Sequence, residues 1–99
     1  MTYKSKVVLQ TPLKVEGLLE QFVENCLRDH VELIAVVGDG CEAVHDLIDE
    51  IVVDDGSDES RFIMTTWHDD ESLEETLEFA AYFGGIGPYG LDEVQLVEI

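Results

Sequence analysis

The stretch Val31 to Val37, VELIAVV, is apolar at every position but one. A strand with water on one face alternates apolar and polar side chains, whereas a strand covered on both faces reads as a continuous apolar run. Covering both faces takes helices above and below a mostly parallel sheet. This run therefore commits the chain to an α/β architecture, and its neighbours supply the remaining elements.

Lys6 to Gln10, KVVLQ, has the β-branched content of a short strand that Thr11-Pro12 brings to a stop, with Thr11 placed to cap a helix and Pro12 suited to its first position. Val15, Leu18, Leu19, Phe22, Val23, Cys26 and Leu27 then recur at helical spacing, predicting an amphipathic helix. After the central strand, Gly38-Asp39-Gly40 breaks the pattern, and Val44, Leu47, Ile48 and Ile51 resume a helical period from Cys41. An acidic Gly/Ser loop, Asp54 to Ser60, leads to a third strand, Arg61 to Thr66. A third helix follows, capped by Asp69 or Asp70 or by the box that Ser72 forms with Glu75. Its inner face is Leu73, Leu77, Ala80 and Ala81, and Gly84 ends it. Val94 to Ile99 reads as a last strand of open direction.

The order β-α-β-α-β-α-β over residues 1–99 predicts one α/β domain of three layers, with a mostly parallel four-stranded sheet of the Rossmann or flavodoxin kind. The expected strand order is 2-1-3-4. In such a sheet ligands bind beyond the carboxyl ends of the strands. Gln10 to Pro12, Gly38 to Cys41 and Trp67 to Asp70 are expected to gather there.

Charge narrows the partners. The chain has 23 acidic residues against five Lys and Arg, a formal net charge of -18. Residues 1–30 are neutral in sum, and residues 31–99 carry the whole excess with Arg61 as their one cation. Such a surface repels nucleic acid and anionic membranes and attracts a basic protein. Cys26 and Cys41 lack C-x-x-C spacing, so neither a disulfide framework nor a zinc ribbon is indicated. The short apolar run near the start falls far below a secretory signal, which makes the cytoplasm of a bacterial cell the expected location.

Within the predicted ligand edge, Cys41 at a helix start could be a nucleophile with His68 as its base. Against this, Asp39, Glu42, Asp69 and Asp70 oppose a thiolate, no cation is near in sequence to hold an oxyanion, and cysteine is a common small core residue. Gly38-Asp39-Gly40 lacks the third glycine of a nucleotide fingerprint and reads as a strand-to-helix turn. His45, Asp49 and His68 are metal candidates, with Glu42 and Asp46 beside them, yet a solvated helix face also produces these spacings. The acidic loop departs from the EF-hand pattern. No cofactor signature is present. Trp67, with Phe79, Tyr82, Phe83 and Tyr89 further on, is either a cover for a small core or an exposed aromatic of a protein-binding surface.

CEAVHDLIDEIVVDD and RFIMTTWHDDESLEETLEFA resemble the corresponding segments of a family of small acidic bacterial domains of unknown function. The resemblance covers about a third of the chain and implies a small α/β fold with no stated activity. The expected function is a non-enzymatic acidic module that docks on a basic partner through Asp39, Trp67, His68, Asp69 and Asp70. The alternatives are a small enzyme or metal-binding protein using Asp39, Cys41, His68, Asp69 and Asp70, and a homodimer formed through the aromatic-rich C-terminal third in place of a monomer.

Overall fold

A computed structural model describes residues 3–53, 56, 62–82 and 94–99. The Asp54 to Ser60 loop (Gly56 excepted), Arg61, Phe83, Gly84 and Tyr89 lie outside the described residues. The elements are β1 (Lys6–Thr11), a single 3-10 turn (Glu16–Leu18), α1 (Leu19–Arg28), β2 (Leu33–Gly38), α2 (Cys41–Val53), β3 (Met64–His68), α3 (Leu73–Ala81) and β4 (Val94–Val97). Strands and helices alternate as the sequence predicts, and all four strands run parallel. That fixes the direction of β4, which the sequence leaves open.

The strand order is β3-β2-β1-β4, which corrects the expected 2-1-3-4. The β1–β2 pairing and the edge position of β4 hold, but β3 pairs with β2, Leu33 opposite Met64 through Val37 opposite His68. Crossover handedness then sets where the helices lie. A right-handed crossover keeps α1 and α2 on one face when the strands advance in one direction, β1 to β2 to β3. The return to β4 beside β1 then carries α3 over the opposite face. The core divides accordingly. Val7, Leu9, Ile34 and Val36 pack with Phe22, Val23 and Cys26 of α1 and Cys41, Ile48 and Val52 of α2. Val8, Leu33, Ala35 and Val37 pack with Ala80 and Ala81 of α3. Leu33 to Val37 of β2 are all buried, which is what the continuous apolar run requires.

Thr11 is not a helix cap. It ends β1 opposite Gly38, and its buried hydroxyl donates to the Val37 carbonyl at 3.1 Å. With that hydroxyl committed across the strands, the helix starts at Leu19, and Val15 and Leu18 of the expected apolar stripe stand exposed. In α3, Ser72 takes the cap: its Oγ accepts from the Glu75 N–H and the Glu75 carboxylate accepts from the Ser72 N–H, both at 3.1 Å. A reciprocal box satisfies two free N–H groups, where Asp69 or Asp70 alone would satisfy one at most times. Among the described residues, no helix is long and apolar enough to cross a membrane.

Candidate functional site

The carboxyl ends of the strands bring Thr11, Gly38 and His68 to one edge, as expected, but the corrected order changes what meets there. The point where strand order reverses lies between β1 and β4, where Gln10, Thr11, Pro12, Lys14 and Glu98 border a hollow of about 260 Å³. Lys14 and Glu98 pair across it at 3.4 Å. Neither was marked by the sequence, because only the strand order makes them neighbours. His68 ends β3, two strands removed from β1.

The structure separates Cys41 from His68. Cys41 is fully buried in the core shared with α1, whereas His68 lies on the opposite face of the sheet, its ring 4.7 Å from that of Phe79. His68 Nε2 is 2.9 Å from the Thr66 hydroxyl and Nδ1 is 3.1 Å from the Glu71 carboxylate. A base held in this way and facing away from the thiol forms no dyad with it. The other thiol, Cys26, is buried, and burial together with the nearby Asp29 carboxylate pushes it up to about 12. Neither thiol is expected to react in the folded protein: alkylation, followed by mass spectrometry, should run at least about 100-fold slower than in denatured chain, since core groups become accessible only through costly opening.

The side chains that do converge are gathered around His45. Helical spacing suggests a solvated face for His45, but it is buried beneath β3, and this is a correction. The face of α2 that meets the sheet is Cys41, His45, Ile48 and Val52, while Leu47, expected on the inner stripe, stands 49% exposed. The stripe is rotated because α2 packs on β3 and α1 together, and its inner line faces the sheet between them. Around the imidazole, Nδ1 is 3.1 Å from Asp46 Oδ1, and Nε2 is 3.2 Å from Thr65 Oγ1 and 3.5 Å from Asp49 Oδ2. The Thr65 hydroxyl donates to Asp49 in turn. Burying a polar ring without partners costs about 1–3 kcal/mol, and here every ring nitrogen has one.

Trp67 covers this cluster. The sequence places it after the third strand, but β3 runs two residues further and Trp67 lies within it, on the α2 face with Thr65. Thr66 and His68 face α3, so alternation along one strand explains why Trp67 and His68 are neighbours in sequence but not in space. The indole sits 4.6 Å from the His45 ring, centroid to centroid, and remains 46% exposed. The Asp46 side chain is 69% exposed and that of Asp49 is 49% exposed, so two accessible carboxylates hold the imidazole on which the indole rests. Asp69, Asp70 and Glu71 follow, exposed, at the strand's end. Of the metal candidates, His45 and Asp49 are adjacent and His68 is on the other face; no group of three or more His, Cys, Asp or Glu poised to hold a metal occurs among the described residues.

The class that fold and site define is a small parallel α/β domain with a half-exposed indole packed on a buried histidine that two carboxylates hold. A family model described as "Domain of unknown function (DUF7684)" matches residues 3–99, and the chain belongs to that family. Comparison with curated proteins and with solved structures gave no match.

Proposed function

We propose that this protein is a non-enzymatic, acidic protein-binding module of the bacterial cytoplasm that docks on a basic partner, as an immunity protein, an inhibitor or a nucleic-acid mimic would. The observation that carries this reading is the half-exposed Trp67, braced by buried His45, whose ring nitrogens are held by the accessible carboxylates of Asp46 and Asp49. Aromatic anchors rimmed by polar groups are the residues on which interface energy concentrates. A guanidinium or ammonium group laid on the indole face gains a cation–π contact while it pairs with a carboxylate. Asp69 and Asp70 extend the negative field along the strand's end, and Asp39, from the neighbouring turn, adds to it. Nucleic acid and anionic membranes meet repulsion from the same charge.

Attraction between a net charge of -18 and a basic surface speeds encounter and weakens as salt screens it, with a Debye length of about 8 Å at physiological ionic strength. Pull-down from the native extract at low and high salt is the test. Expected is a basic protein retained at low salt, released at high salt and not retained by polyglutamate of equal charge. Capture of no basic protein at low salt would overturn the reading.

A further inference from the structure

The flank of α2 opposite Trp67 is apolar. Ala43, Val44 and Leu47 line a groove of about 320 Å³ with Pro12, Leu13 and Leu19, and Asp39 and Gly40 complete its lining. Its two walls are tied together by the β1–β2 pairing at Thr11 and Gly38 and by the hydroxyl of Thr11 on the Val37 carbonyl, so the groove exists before anything enters it. Val15 and Leu18, on the segment that leads into α1, are exposed as well. Asp39 supplies the one charge in the lining, and it is negative. Exposed Glu20 and Glu42 stand next in sequence to the lining residues Leu19 and Ala43.

An apolar trough with a single carboxylate in its lining selects by two criteria. Its walls favour a branched or aromatic side chain, because each leaves water on contact. Its rim rejects an anion and favours a cation beside that side chain. We infer that this groove receives an apolar side chain from a basic, amphipathic segment of the docking partner, with a neighbouring Lys or Arg of that segment paired to Asp39. The inference rests on the docking reading proposed above and extends it from charge to shape: α2 is straddled, its acidic flank with Trp67 taking cations and its apolar flank taking the hydrophobic anchor. A preformed pocket lowers the ordering cost of binding, which is how such an anchor comes to dominate affinity.

Three amidated hexapeptides of alternating residues, Leu/Lys, Ser/Lys and Leu/Glu, test it by titration into isotopically labelled protein at low salt. The Leu/Lys peptide is expected to shift the backbone amides of Gly40, Ala43, Val44 and Leu47, binding about tenfold more tightly than Ser/Lys, the gain for burying one leucine-sized side chain. Leu/Glu is expected to shift none of them. Leu47→Ser, at an exposed position that leaves the fold intact, removes the tenfold advantage, and Asp39→Asn weakens Leu/Lys binding by about threefold, within the range of an exposed ion pair. If Leu/Lys and Ser/Lys bind equally, or the Leu/Lys shifts map away from the groove, the groove inference is overturned while docking on a basic partner stands. If neither cationic peptide binds, both fail.

Discussion

Gly38→Ala is expected to destabilise the protein by about 4 kcal/mol, a large share of the roughly 5–15 kcal/mol that holds an ordinary domain folded. Two effects add. Gly38 holds φ at +111°, a backbone angle that side chains other than glycine rarely adopt. A Cβ there would also fall on the carbonyl oxygen of Thr11, with the Thr11 hydroxyl and carbonyl carbon 3.0 and 3.1 Å away. The nearest of these atoms is backbone of a paired strand and cannot swing aside. Gly40 separates the two effects: it has φ of +75° but nothing within 4 Å of its would-be Cβ, so Gly40→Ala keeps the strain without the collision and costs about 1 kcal/mol. Denaturant unfolding of the two variants beside the parent measures both, and equal losses would show that the close approach to Thr11 carries no weight. The glycines of GDGC are thus an architectural requirement: the first lets β2 close against β1, and the second turns the chain into α2.

Much of this architecture is written in local patterns. VELIAVV announces a strand buried on both faces because burial acts on each residue in place, and Ser72 with Glu75 announces a cap because its hydrogen bonds join residues three apart. What escapes the sequence depends on pairing at a distance. Nothing in residues 61–68 says whether β3 lies beside β1 or β2, and that choice moved α2 to the face of α1 and shifted the reversal point of the sheet to β1 and β4. The candidate site divided along the same line. Asp69 and Asp70 are legible as acidic residues of this edge and Trp67 as an aromatic that either covers the core or stands exposed, but a helix face crowded with carboxylates hides the one buried position, His45. The indole above it and the Thr65 hydroxyl beside it come from another strand, and only the fold puts them there. Cys41 and His68 show the converse. Their place at one carboxyl edge of the sheet suggests a dyad, and the direction of two side chains across the sheet dissolves it.

Trp67→Ala is expected to weaken binding of the captured basic partner by about 30-fold or more, the loss typical of a central aromatic anchor. The substitution leaves the net charge at -18, so the long-range attraction survives and encounter rates stay nearly constant. The loss falls on the dissociation rate, where contacts made after encounter are registered. This distinguishes an anchor from a merely acidic surface, on which removal of a neutral ring would change little. Folding stability should fall by no more than about 1.5 kcal/mol, the worth of an aromatic pairing beyond simple burial, because the indole is half in water and Thr65, Asp46 and Asp49 still hold His45. Leu96→Ala, at a residue 43% exposed on the far edge strand β4, is the matched control and should leave binding unchanged. Surface plasmon resonance at two salt concentrations reads all three proteins. Equal dissociation rates for the parent and Trp67→Ala would remove the indole from the interface and, with it, the reason to place docking on this face. The chain has one tryptophan, so its fluorescence reports on this position alone, and the parent should show a spectral change on saturation that the Leu96→Ala variant reproduces in full.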